Sequence, residues 1–250
     1  MRVAVAGGTG LTGRNVIEVL EAAGHEPVVL ARSKGVDLLS GAGLDAALAG
    51  VETTIDVSNV TTLKRDVSVT FFDTAGRNLL AAAARAGVRH HVALSIVGID
   101  RVKNGYYQGK LRQEAVVRDG SVPWSVLRAT QFHEFAGQVL DQVPGPVALI
   151  PRMTVQPIAV REVAEALVEL AEGEPRGAVP DLAGPRVESL VDMARRLLRA
   201  RGGRRLVLPI WLPGPKGGQL PIGPGPRGVQ TFEEWLAIEG DRFAQRSPRG

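Results

Sequence analysis

The chain contains no cysteine. That excludes a disulfide framework, a thiolate nucleophile and cysteine-ligated zinc. Histidine is scarce, with only His25, His90, His91 and His133. The "HEF" at 133–135 has no second histidine four residues on, so the metalloprotease pattern fails and no metal is expected. Aromatics make up only 4%. Such an aliphatic chain favours sheets buried on both faces over an aromatic-rich sandwich. No apolar run approaches the length of a membrane span. The first residues read as a strand, not a signal peptide, so the cytoplasm is the expected location. Neither sign of charge dominates: 30 basic residues face 26 acidic ones. The densest basic run, Arg195-Arg196, Arg199, Arg201 and Arg204-Arg205, reads as a solvated helix end and turn ahead of an anionic partner, so nucleic acid is not the expected ligand.

What is present is an alternation of strand and helix patterns. The 250 residues, 44% of them hydrophobic, fit one α/β domain with a small appendage. Apolar runs at Val3–Ala6, Pro27–Ala31, Thr54–Val57, His91–Ser95 and Trp124–Ala129 read as strands, and "GVDLLSG" at 35–41 as a further short one. Helices are expected at Thr12–Ala23, Leu44–Leu48, Phe71–Ala86 and Gly109–Arg118. This is the rhythm of βαβ units on a parallel sheet. After Thr130 the rhythm changes. "VALIP" and "AVPDL" read as short strands, and Val160–Glu172 and Ser189–Ala200 as helices. Residues 209–228 form a Pro/Gly-dense loop. "TFEEWLAIEG" reads as a last helix with a Thr cap, followed by a frayed tail, "DRFAQRSPRG".

The first strand runs straight into Gly7, Gly8, Thr9, Gly10, Leu11, Thr12 and Gly13. Gly8, Gly10 and Gly13 fit G-x-G-x-x-G; Gly7, Gly10 and Gly13 fit an overlapping register. Between a strand and a helix, such glycines permit a tight turn, a close pyrophosphate and close helix packing. The helix start attracts the anion. An NAD site would place a carboxylate at the end of the second strand. Here Arg32 stands there with Ser33 and Lys34, which suits the extra phosphate of NADP(H). Asp37 sits where such sheets contact adenine, and Ser58 and Asn59 where the chain passes the ribose.

Downstream, Ser95 ends the strand in "HHVALSIVG", and "GYYQGKLRQE" follows. Tyr106 and Lys110 are four apart and share a helix face. An ammonium beside a phenol lowers its pKa and readies it to protonate a carbonyl oxygen as hydride reaches the carbon. Lys110 can also hold the nicotinamide ribose, and Ser95 can hydrogen-bond the carbonyl. Tyr107, three residues before Lys110, is a second candidate for the phenol, or else lines the pocket. Gln131, Phe132 and His133, with Glu134, either face substrate or are ordinary loop residues. Trp211 either stacks on a planar substrate or anchors the loop.

With these motifs in this order, the chain resembles the short-chain dehydrogenase/reductase superfamily, and most of all its atypical, NmrA-like NAD(P)-binding branch. "GGTGLTGR", "RNLLAAAARAGVRHHVALSIVGIDR", "YYQGKLRQEAVV" and "PWSVLRATQFHEFA" are similar to that branch's successive blocks, as are "VQPIAVREVAEALVEL" and "LAGPRVESLVDMARRLL". The resemblance implies a Rossmann-like, doubly wound parallel sheet over 1–131. It also implies a small C-terminal α+β substrate lobe over 132–250, packed on that core as a single unit. Ser95, Tyr106 and Lys110 match the superfamily's catalytic order, although the gap between Ser and Tyr is short. The expectation is an NADP(H)-dependent reductase of a small ketone or quinone, monomeric or homodimeric, with the residue usage of a high-GC bacterium. The alternatives are a non-catalytic NAD(P)-sensing regulator and an epimerase, dehydratase or cyclase that uses the cofactor transiently or structurally.

Overall fold

The computed structural model describes residues 1–102, 104–211 and 220–246. In chain order the strands are β1 (Arg2–Ala6), β2 (Glu26–Leu30), β3 (Thr53–Asp56), β4 (His90–Ile96), β5 (Trp124–Ala129), β6 (Val147–Pro151), β7 (Thr154–Val155), β8 (Gly177–Ala178), β9 (Glu188–Ser189) and β10 (Leu206–Ile210). The helices are α1 (Leu11–Ala22), α2 (Leu44–Ala47), α3 (Arg65–Ala86), α4 (Gly105–Asp119), α5 (Phe135–Asp141), α6 (Val160–Glu172), α7 (Leu190–Ala200) and α8 (Phe232–Arg246). The chain divides into two compact units: residues 1–129 with 160–181, and 130–159 with 182–250. The helix α6 and strand β8 thus return to the first unit after the chain has left it.

The first unit is a six-stranded sheet in the order β2-β1-β3-β4-β5-β8, with every pair parallel. This is the expected Rossmann-like α/β fold. The chain leaves β1 for β2 on one side and returns to β3 on the other. That reversal opens a crevice at the carboxyl ends of β1 and β3. α1 packs with α6, and α3 with α4. Alternate strand residues Ala4, Ala6, Ala93 and Val126 pack with Leu79, Leu80, Ala83, Val116 and Val117 of α3 and α4. Alanines on the strands let the helices lie close.

The expected strand at 35–41 does not form. Gly35, Gly41 and Gly43 all have positive φ, and Asp37 exchanges backbone hydrogen bonds with Gly41 and Ala42, so the segment folds on itself as a turn. α3 and α4 start earlier than the sequence pattern placed them. For α4 the reason is Asn104, whose side chain accepts the Tyr106 N–H at 2.8 Å and caps the helix.

The second unit has two small sheets, a parallel β10-β6 pair and an antiparallel β7-β9 pair. Leu190, Met193, Ala194 and Leu197 of α7 pack with Ala148, Ile150, Leu140 and Phe232. Strand β10 was not expected, because Pro209 ends its apolar run early. The tail is also corrected: α8 continues through 241–246, where fraying was expected. Its start is fixed as expected by Thr231, whose hydroxyl accepts the Glu234 N–H at 3.2 Å. Of the basic run, Arg195, Arg196 and Arg201 pair with Asp192, Glu188 and Asp141, and Arg205 donates to the carbonyls of Leu140, Val143 and Gly145. Those four hold the unit together. Among the described residues no helix is long and apolar enough to cross a membrane.

Candidate active site

The glycine loop joins β1 to α1. Gly7 has φ +79°, and a Cβ there would lie 2.8 Å from the Ser58 Cα. At Gly13 a Cβ would lie 2.2 Å from the Gly7 carbonyl oxygen. Gly8 has no positive φ. A Cβ at Gly8 would still come within 3.0 Å of the Val29 side chain, so both overlapping registers stand, and the backbone demands glycine most strongly at Gly7 and Gly13. No side chain caps α1, and its first turn holds no acidic residue. Its first N–H groups are left open to an anion. Arg14 reaches back to the Thr9 carbonyl at 2.7 Å and braces the loop. The residues fit a dinucleotide's pyrophosphate: the loop is a cradle that side chains would fill, and the helix start lacks its own cap.

Beyond β2, Arg32, Ser33 and Lys34 form one exposed 3₁₀ turn. Asp37 spends one carboxylate oxygen on the Leu39 N–H at 2.9 Å. After β3, Asp56 accepts the Ser58 N–H at 2.9 Å, and Asn59 accepts the Val60 N–H at 2.9 Å and the Tyr106 hydroxyl at 2.8 Å. Ser58 and Asn59 thus bridge the glycine loop to the first turn of α4.

Along α4, Tyr106 and Lys110 do share a face. The Tyr106 ring lies 6.0 Å from the Phe72 ring, and the Lys110 ammonium 4.9 Å from it. Gly109, between them, lies so close to Ser68 and Phe72 of α3 that a Cβ would collide with both. Lys110 is 4% exposed. Its Nζ donates to the Leu94 carbonyl at 2.6 Å and to Gln113 Oε1. Gln113 Nε2 in turn donates to Asp56 Oδ2 at 2.7 Å. Burial pulls the ammonium down to about 8, with Asp56 and Glu114 resisting.

Two expectations are corrected here. Lys110 does not lower the Tyr106 pKa. Burial, with Tyr107 beside it, raises the Tyr106 phenol, and burial pushes Tyr107 up to about 12. The ammonium is aimed at Leu94 and Gln113 instead. Ser95 does not stand open to a carbonyl. It is 2% exposed, and its hydroxyl donates to Glu114 Oε1 at 2.5 Å. Arg128 clasps both oxygens of that carboxylate at 2.8 Å. Burial works to raise Glu114, but Arg128 and Ser95 together hold it below the usual range.

In the second unit, His133 is fully buried. Its Nε2 lies 3.1 Å from the Gln230 carbonyl, so that nitrogen carries the proton. Its ring packs on Phe232 and Trp235. The substrate-facing reading of His133 is therefore corrected to a core residue. Phe132 bridges to Ile158 as a single β-bridge. Gln131 differs: both polar atoms of its carboxamide are buried without a hydrogen-bond partner among the described residues. Trp211 is 65% exposed, with the Arg152 guanidinium 5.3 Å over its ring. Most of the Pro/Gly loop's first half, 212–219, lies outside the described residues.

Sequence reasoning missed Asp56, Gln113, Glu114 and Arg128. The available signal was α4 itself: Lys110, Gln113 and Glu114 continue the face that starts at Tyr106.

A family described as NAD(P)H-binding matches residues 7–174. The (4-alkanoyl-5-oxo-2,5-dihydrofuran-3-yl)methyl phosphate reductase of Streptomyces griseus subsp. griseus is 32% identical over 157 residues. The match covers 57% of this chain and 51% of the relative, so the chain spans about half that relative's length. MoeE5, solved with UDP-glucose and NAD, superposes with a TM-score of 0.73 at 17% identity over 98% of this chain and 100% of its own. The UDP-glucose 4-epimerase of Thermus thermophilus, solved with NAD, gives 0.69 at 21% over 99% and 100%. At these identities the likeness is one of fold.

Proposed function

The chain belongs to the NAD(P)H-binding family, and from that premise we propose that it is an NADP(H)-dependent reductase of a small-molecule ketone or quinone. The observation that carries the reading is the run of contacts from the glycine loop through Ser58 and Asn59 to Tyr106 and its neighbour Lys110. It joins a dinucleotide cradle to a proton donor. The reductase name of the Streptomyces relative supports reduction.

The first-turn N–H groups of Leu11, Thr12 and Gly13 hold the pyrophosphate. Arg32 and Ser33 hold the 2′-phosphate through charge-assisted hydrogen bonds. Asp37 flanks the adenine, and Ser58 and Asn59 the ribose. When bound, the reduced nicotinamide supplies the hydride. Tyr106 gives the proton. Its raised pKa keeps it in the donor form across the physiological range, and the proton turns from Asn59 to the carbonyl oxygen as charge develops there. Lys110, with two of its N–H groups spent on Leu94 and Gln113, offers the third to the ribose. Ser95 supports Glu114 and takes no part in the proton transfer.

The test is NADPH oxidation, followed by absorbance, against a panel of ketones and quinones. Turnover of at least one is expected. Tight NADPH binding with no turnover of any member overturns the reading.

A further inference from the structure

We propose that Gln113 is a positioning residue whose carboxamide acts as a spacer, holding the Lys110 ammonium at the carboxyl end of β4 and off Asp56. The inference rests on the reading of Lys110 as part of the active site.

Lys110, Gln113 and Asp56 are all nearly inaccessible, at 4%, 2% and 2% exposure. Opposite charges this deeply buried attract strongly, and a direct ion pair is their simplest arrangement. No ion pair between Lys110 and Asp56 forms here. Gln113 stands between them, its oxygen accepting from the ammonium and its NH₂ donating to the carboxylate. Only that orientation of the amide satisfies both neighbours. Asp56 is tethered on its other side, where its second oxygen accepts the Ser58 N–H at 2.9 Å. Without the amide, the flexible lysine is the group that moves. It would then leave the Leu94 carbonyl and the Phe72 ring that it shares with Tyr106.

The groups facing the ammonium define what a titration reads. Asp56 from β3 and Glu114 from α4 carry charge. Leu94 of β4 offers a carbonyl and Phe72 of α3 a neutral ring, while the Tyr106 hydroxyl is turned to Asn59. Glu114 is already neutralised by Arg128. Asp56 is therefore the charge that the spacer controls.

The experiment compares wild type with Gln113→Leu and Gln113→Met. In each, the lysines are labelled at the ε-carbon and titrated by NMR, without cofactor. Either substitution lets ammonium and carboxylate meet. Both are expected to move the Lys110 midpoint up by about half a pH unit or more. The basic limb of kcat/KM should move with it, and kcat should fall about tenfold. Gln113→Met, neutral and of similar length but without either hydrogen bond, carries the same test if the Leu protein does not fold. Gln113→Glu would not, since an added carboxylate raises the midpoint whatever the role of Gln113. An unmoved midpoint in a folded variant overturns the spacer role, as does lost activity with an unchanged pH profile. Absence of turnover in the wild type overturns the reductase reading instead, and the NMR midpoints still decide the role of Gln113.

Discussion

The glycine loop at 7–13 and the α4 face from Tyr106 to Glu114 are the two halves of the candidate site, and they are built by opposite means. In the loop, side chains are missing so that backbone can approach backbone: Gly13 lies where any Cβ would strike the Gly7 carbonyl. Its N–H groups wait for a partner. On α4 the polar side chains are present and already engaged: Tyr106 with Asn59, Lys110 with Leu94 and Gln113, Gln113 with Asp56, and Glu114 with Ser95 and Arg128. The first half offers backbone N–H groups that no side chain caps. The second is preorganised, with each group's direction set by its neighbour.

If that contrast holds, damage to the two halves should differ in kind. Gly13→Ala is expected to be the most severe change. Its added carbon meets backbone on both the Gly7 and Gly8 sides, and no rotation of a side chain relieves it. Destabilisation of about 3 kcal/mol or more is expected, with NADPH affinity falling at least about a hundredfold. A thermal melt and a fluorescence titration measure both.

Damage to α4 should spare folding and strike turnover. Tyr106→Phe is expected to lower kcat by about 10²-fold or more while the melt changes little, and Tyr107→Phe by less than about tenfold. Equal losses would move the proton donor away from Tyr106. Arg32→Ala should raise the KM for NADPH about tenfold and leave that for NADH unchanged, since only the 2′-phosphate contact is removed. Equal effects on the two cofactors would return Arg32 to the ordinary surface.

Acid separates the halves again. The loop has no titratable side chain. Beneath α4, His91 is buried against Thr54, and burial holds it down at about 4, against an ordinary 6.5, with Asp56 opposing. The unfolded chain thus binds this proton more readily than the fold does. Stability is full above about pH 6.5 and is lost as the pH falls toward about 4. His91→Gln should flatten that part of the melting-temperature profile. An unchanged slope would assign the acid sensitivity elsewhere. The smallest effect expected is that of Ser95→Ala, below about threefold in kcat, with about 1–2 kcal/mol of stability lost from the Glu114 hydrogen bond.

The same contrast explains what could be read from the sequence. A backbone site leaves its mark locally: the glycines, the strand before them and the helix after them are contiguous. Only the left-handed φ of Gly7 needed coordinates. A side-chain site depends on partners brought from elsewhere. The spacing of Tyr106 and Lys110 revealed their shared face. Asp56, however, is 57 residues from Gln113, and nothing near either residue announces the pair. Ser95 was misread for a related reason. Its place at a strand end suggested an open hydroxyl, but Glu114 and Arg128 close over it from α4 and β5. Likewise "GVDLLSG" has strand-like residues, and its two left-handed glycines, with Gly43 just beyond, fold it into a turn.

The central claim is that both halves serve one cofactor, NADP(H). A crystal structure with NADP⁺ bound tests it most directly. The account requires the pyrophosphate on the first turn of α1, the 2′-phosphate against Arg32 and the nicotinamide facing the Tyr106 hydroxyl. A 2′-phosphate remote from Arg32, or a nicotinamide turned to Tyr107, would contradict it.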